Sequence, residues 1–238
     1  VDPAAVAAPC AAAAQSCRPA GPPQLEQATR RMRFALGVDD DLREFQRCFR
    51  ADPLLGPLLR RRPYMRPRRR PLPWEAFAWA VVKQLIETQA AARIQRRIVG
   101  RWGRRLGREP EALRDVPSPE LIAGRAPAEL ESMGLALRRA LALRRVAREV
   151  AAGRCDLGDP AADARLLAVP EIGPWTVQCL GLFGRGDPDS LPAGDLAYLK
   201  LVGRLARLGR RATVAEVEEF YAPYAPFRGL AAAWTNIL

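Results

Sequence analysis

The sequence contains no histidine. That absence removes the Ser-His-Asp triad, the Cys-His pair and every His-ligated metal centre. Acid–base or nucleophilic work falls instead to Asp, Glu, Lys, Tyr, Cys or backbone groups. Lysine occurs only at Lys83 and Lys200, so 36 of the 38 basic residues are arginine. No apolar run reaches the roughly 18 residues of a membrane span. The five cysteines, at 10, 17, 48, 155 and 179, are odd in number and widely spaced, which argues against a disulfide scaffold and for reduced thiols in a cytoplasm. Cys10 and Cys17 lack the close companions of an iron–sulfur cluster, and no metal site is expected. The first residues carry Asp2 and Pro3 without a basic n-region, a poor match to a signal peptide. Period-2 alternation and internal repeats are also missing.

What is present is a chain of 238 residues, 49% apolar and 27% charged, with a net charge of +12. It is long enough to bury a real core. Arginine suits bidentate contact with phosphate, although a GC-rich genome also favours Arg, Ala and Pro codons. Residues 1–24 are mostly Ala, Pro and Gly and read as a disordered tail or linker. Residues 25–238 read as one all-α domain of short helices. Pro73 precedes a long amphipathic helix from Trp74 to about Gly100. Ser118-Pro119 and Asp159-Pro160 open further helices, and Thr213 with Glu216 forms a capping box. Leu137 to Ala152 has helical period and carries Arg138, Arg139, Arg144, Arg145 and Arg148, read as a solvated face. Pro63 to Pro73, with Arg66, Arg68, Arg69 and Arg70, reads as an exposed basic loop.

The most informative segment is Leu166 to Lys200. A helix ends near Val169-Pro170. A tight turn, Glu171-Ile172-Gly173, follows, and Pro174 opens a second helix where its missing N–H costs nothing. Free amides at such a turn attract an anion, and a DNA phosphate is the natural occupant in a basic protein. An ordinary helical corner has the same local signals.

The run Val169-Pro170-Glu171-Ile172-Gly173-Pro174-Trp175-Thr176, with Asp195 twenty residues after Trp175 in Leu191-Pro192-Ala193-Gly194-Asp195-Leu196, resembles the helix–hairpin–helix (HhH-GPD) DNA glycosylase superfamily. Within it the likeness is to the 3-methyladenine DNA glycosylase II, or alkylation-repair, branch. Val82-Lys83-Gln84-Leu85-Ile86 is similar to the family's Gly-Gln-Leu/Gln-Val-Ser segment, with Lys83 and Glu87 departing from the usual small residues. Glu171 replaces the first hairpin glycine, and Gly173 remains for the turn.

The resemblance implies an all-α helix–hairpin–helix fold whose two helical lobes flank an active-site cleft. It implies Asp195 as catalytic carboxylate, Gln84 and Leu85 as the wedge that fills the duplex after base flipping, and Trp175, Trp234 and Cys179 as base-pocket residues. Pro170, Ile172, Gly173, Trp175 and Thr176 would form the phosphate-binding hairpin. A flipped base exposes its N-glycosidic bond, and a carboxylate stabilises the oxocarbenium charge as that bond breaks. Glycosylase–lyases of this superfamily carry a hairpin Lys where Trp175 stands here, so the expectation is a monofunctional hydrolase for alkylated purines that leaves an abasic site. The alternatives are deaminated or oxidised purines as substrates, or a non-catalytic DNA-binding module. Damaged duplex DNA is the expected partner of a monomer with no membrane contact, cytoplasmic and nucleoid-associated in a bacterium. No cofactor is expected beyond a structural monovalent cation at the hairpin when DNA is bound.

Overall fold

A computed structural model describes residues 21–106 and 113–236. Most of the Ala/Pro-rich segment, with Cys10 and Cys17, lies outside them. Helix α1 runs Pro22–Leu36, so residues 22–24 are helical rather than part of a tail. Thirteen α-helices follow one another among the described residues, with a single two-residue antiparallel pairing of Arg105–Leu106 and Leu113–Arg114.

The helices build two cores. The first is filled by α4 (Pro73–Lys83), α5 (Thr88–Trp102), α6 (Pro119–Ala123), α7 (Pro127–Ser132), α8 (Leu137–Ala151), α9 (Asp163–Leu167) and α10 (Pro174–Leu180). The second joins α2 (Arg43–Phe49) and α3 (Leu55–Arg61) to α11 (Leu196–Leu205), α12 (Val214–Tyr221) and α13 (Arg228–Thr235). From α2 and α3 of the second lobe the chain thus passes into the first and returns through Leu191–Asp195. The expected two-lobed all-α architecture is what is observed.

Helix α4 is buried from Trp74 to Val82, the mark of a helix enclosed on all sides. Its one acid, Glu75, accepts from Arg70 at 3.1 Å and from the Trp79 indole at 3.2 Å, which offsets the cost of burying a carboxylate. Gly184, in the π-type turn Gly181–Arg185 that continues α10, lies against α4 so closely that a Cβ would stand 2.8 Å from the Ala76 Cβ. This contact sets α10, and the hairpin before it, onto α4. The capping box at Thr213 is formed, with Glu216 accepting from the Thr213 amide at 2.7 Å and Thr213 Oγ1 from the Glu216 amide at 3.2 Å. Ser118 caps α6 as expected.

Three expectations change. The long helix from Trp74 is two helices, broken at Gln84–Glu87 between α4 and α5. The segment Pro63 to Pro73 is not an exposed loop: Arg66 donates to Gly37 O at 2.7 Å, Arg69 pairs with Asp40 under the Phe34 ring, and Arg70 reaches Glu75. Of its four arginines only Arg68 is exposed. On α8, Arg138, Arg145 and Arg148 are solvated, whereas Arg139 and Arg144 are partly buried.

Candidate active site

The hairpin closes with Ile172 N–H donating to Val169 O at 3.1 Å. Val169, Ile172 and Val177 are buried in the first core, so Ile172 anchors the turn from below. Pro174 is the first residue of α10. Among the described residues the Gly173 and Trp175 amides have no acceptor. Thr176 is buried and its hydroxyl accepts from Gln84 Nε2.

The left-handed residue of this turn is not Gly173, whose φ is −103°, but Glu171, at φ 71°. The expectation that Gly173 supplies the special backbone is therefore corrected. Glu171 stands where the resemblance places glycine and retains the backbone a glycine would have there. Its carboxylate is drawn to Arg138 at 3.7 Å. A left-handed non-glycine residue costs about 1–2 kcal/mol, and an exposed ion pair returns little of it. Glu171→Gly is expected to raise stability by up to about 1 kcal/mol, net of glycine's entropy, and to tighten DNA binding. Thermal unfolding and a salt titration of DNA affinity check both; a clear loss of stability would mean the turn needs the Glu171–Arg138 pair.

The break after α4 forms a second left-handed turn. Gln84 leaves the helix at ψ 130° and Leu85 has φ 55°. Leu85 is 99% exposed, with its side chain directed away from both cores. The Gln84 amide nitrogen donates to Glu171 O and Thr176 Oγ1, each at 2.8 Å. Gln84 is thus a tie between turn and hairpin, and Leu85 is the projecting residue.

Asp195 is half-buried and caps α11, its Oδ1 accepting from the Ala197 amide at 2.9 Å. Its Oδ2 has no hydrogen-bond partner among the described residues. The Trp175 side chain lies beside this segment, 3.7 Å from where a Cβ on Gly194 would sit. Trp175 is half-buried, and its indole N–H is enclosed without an acceptor. Cys179 and Tyr198 are buried within the electrostatic reach of Asp195. Burial first, and the Asp195 charge second, push both the Cys179 thiol and the Tyr198 hydroxyl well up. Both therefore stay protonated and neutral. The Lys83 ammonium, at the exposed end of α4, opposes the rise at Cys179. Cavities of about 360 Å³ and about 180 Å³ lie elsewhere: the first is lined by Lys200, Arg204, Arg207 and Arg211, the second by Asp40, Leu182 and Phe227.

Over residues 78–226, more than half of the chain, the sequence matches the family described as "HhH-GPD superfamily base excision DNA repair protein". The chain belongs to that superfamily. It is 32% identical over 224 residues to the "Probable bifunctional transcriptional activator/DNA repair enzyme AlkA" of Mycobacterium tuberculosis (strain H37Rv), covering 90% of this chain but 43% of that protein. It therefore spans less than half of this relative. It is 24% identical over 200 residues to the "DNA-3-methyladenine glycosylase" of Bacillus subtilis (strain 168), covering 82% of this chain and 66% of the relative. Among solved structures, the 3-methyladenine DNA glycosylase of Archaeoglobus fulgidus superposes with a TM-score of 0.79 at 22% identity, over 91% of this chain and 75% of that one. The 8-oxoguanine glycosylase/lyase of Clostridium acetobutylicum, bound to double-stranded DNA, gives 0.75 at 15% identity, over 90% and 74%. At such identities these two likenesses establish the HhH-GPD fold alone.

Within the HhH-GPD frame, Gln84, Leu85, the hairpin, Trp175, Cys179 and Asp195 come together where α4, α10 and the start of α11 meet. Trp234 does not join them. It is 0% exposed in the second core, its ring 6.0 Å from Phe45, so its assignment to an open base pocket is corrected to a packing role. Trp234→Ala is expected to cost about 3–5 kcal/mol, a large share of a typical domain's stability, as read from denaturant unfolding; a cost below about 1 kcal/mol would contradict the packing role. Sequence reasoning missed Tyr198, although its position three residues after the capping Asp195 puts it on the first turn of α11. It also read Arg139 as part of a solvated face, whereas its guanidinium donates to Gln84 O at 2.6 Å; one arginine among five on a helix gives no signal for that.

Proposed function

We propose that this chain is a DNA base-excision repair glycosylase that flips alkylated purines of the 3-methyladenine type out of duplex DNA and hydrolyses their N-glycosidic bond without cleaving the strand. The observation that carries the reading is the placement of the Asp195 carboxylate, one oxygen capping α11 and the other unpartnered, among Trp175, Cys179 and Tyr198. The superfamily match and the alkylation-repair relatives support it.

The chemistry follows from these groups. The duplex backbone meets the free amides of Gly173 and Trp175, while Leu85 enters the stack and fills the space of the departing nucleotide. The flipped base lies near the Trp175 ring, whose electron-rich face favours a cationic purine. As the glycosidic bond breaks, its electron pair leaves with the base and positive charge develops on the sugar. The Asp195 carboxylate stabilises that charge and orients water for addition at C1′, accepting its proton directly or passing it to solvent. Cys179 and Tyr198 are too weakly acidic to protonate a neutral leaving base, and the sequence offers no histidine. Such a site favours bases that already carry charge, as N3- and N7-alkylated purine nucleotides do. The hairpin position of a lyase's lysine is occupied by Trp175.

The test is a panel of duplexes, each holding one alkylated, deaminated or oxidised purine, with released bases and strand breaks both scored. Release from the alkylated member alone, strands intact, is the expected result. Preferential release of a deaminated or oxidised base would overturn the substrate assignment, and strand cleavage with imine trapping would overturn the monofunctional one. Salt-sensitive DNA binding with no release from any member would leave a binding module.

A further inference from the structure

We propose that Arg139, on α8, is a positioning residue that holds the turn carrying Leu85 in its projecting conformation, an inference that rests on the glycosylase reading above. The last carbonyls of any α-helix lack intrahelical donors. At the end of α4 an arginine from another helix supplies one. Arg139 Nη1 donates to Gln84 O at 2.6 Å and approaches Val82 O at 3.5 Å. Arg139 has no carboxylate partner among the described residues, whereas its neighbour Arg138 pairs with Glu171. Its partly buried guanidinium is committed to the negative end of the α4 dipole.

That commitment has a local consequence. A non-glycine residue stays left-handed only where its surroundings over-determine it. The site has two, Leu85 at φ 55° and Glu171 at φ 71°. Arg139 binds the carbonyl just before Leu85, whereas its neighbour Arg138 makes only an exposed 3.7 Å pair with the Glu171 carboxylate, which contributes little. Gln84 links the two turns through Glu171 O and Thr176 Oγ1. Arg139 from α8 and the Gln84 side chain thus form a bracket that sets the wedge at a fixed height relative to the hairpin. An exposed leucine on an untethered turn would fold onto neighbouring apolar surface; one held outward enters the duplex without a further ordering cost.

The test uses the full chain, a duplex with a lesion the wild type releases, and a 2-aminopurine beside the lesion to report flipping. Arg139→Ala is expected to lower both the single-turnover rate and the flipping signal about 10-fold, with affinity for undamaged duplex changed less than twofold. Arg139→Lys, which keeps a cationic donor, should recover most of the loss. In a Leu85→Ala background, Arg139→Ala should add nothing, because the side chain it positions is gone; that non-additivity separates positioning from general destabilisation. A full additional loss in the Leu85→Ala background would overturn the proposal, as would an Arg139→Ala protein that is folded and within twofold of wild type. Should Arg139→Ala fail to fold, Arg139→Met, which keeps the aliphatic length of the side chain but removes its donors to Gln84 O, decides by the same criteria. If the wild type releases no base from any lesion duplex, the glycosylase reading fails instead. The flipping signal on a mismatched duplex then still reports on Arg139: loss in Arg139→Ala supports the bracket, and no change overturns it.

Discussion

Asp195→Asn is expected to lower the single-turnover rate of base release by about 10²–10³-fold, the size of effect seen when one preorganised electrostatic group is removed, with duplex affinity retained. Asn keeps a side-chain oxygen to cap α11 through the Ala197 amide, the bond that Asp195 makes at 2.9 Å. The fold is thereby preserved and only the charge facing the sugar is lost. Losing that charge should also lower the elevated ionisation points of Cys179 and Tyr198, because Asp195 contributes to both. Burial is the larger cause for each, so both groups stay protonated at neutral pH. Stopped-flow or quench measurement of released base, beside fluorescence anisotropy for binding, separates the two quantities. Equal losses of rate and affinity would instead make Asp195 a structural cap and no more.

The second large effect is at Leu85, where stability and activity should move in opposite directions. Glycine adopts the left-handed backbone at no steric cost, and Leu85 is 99% exposed, so no packing is lost. Leu85→Gly should therefore leave the protein at least as stable as the wild type, by up to about 1 kcal/mol. It should also forfeit the compensation a wedge gives to an unstacked duplex. If the leucine offsets about 2 kcal/mol of the few kcal/mol needed to unstack a base, release falls about 30-fold. Thermal unfolding and single-turnover kinetics on one preparation give both numbers. A Leu85→Gly protein that is less stable yet equally active would remove the wedge from the account.

The residues that announced the hairpin did so locally. Pro174 at a helix start, a tight turn before it and Asp195 at a helix cap are all short-range features, and the spacing from Trp175 to Asp195 joined them into a recognisable family pattern. Gln84 and Leu85 matched a family segment, but the break that turns them out of the helix had no local signal. From Trp74 to Gly100 the apolar period runs on without a glycine or proline to mark the break. The bonds that hold it come from Glu171, 87 residues after Gln84, and from Arg139, 55 residues after it. Long-range donors of this kind cannot be read from periodicity. The same holds for Arg66, Arg69 and Arg70, whose partners Gly37, Asp40 and Glu75 turn a basic segment inward. Trp234 failed for another reason: a tryptophan near the chain end fits a core as well as a pocket, and only the ring of Phe45 beside it distinguishes them. Gly173 and Glu171 show the limit of reading turns from composition, since the special backbone fell on the acid and not on the glycine.

The central claim is hydrolytic removal of an alkylated purine driven by Asp195. The measurement that bears on it most directly is the chromatographic yield of free bases from N-methylated duplex DNA, for the wild type beside Asp195→Asn, with strand integrity followed on a denaturing gel. The account predicts free 3-methyladenine and uncut strands bearing abasic sites with the wild type, and neither product with the variant. Undiminished release by Asp195→Asn, or no release of methylated base by a wild type that binds the DNA, would contradict it.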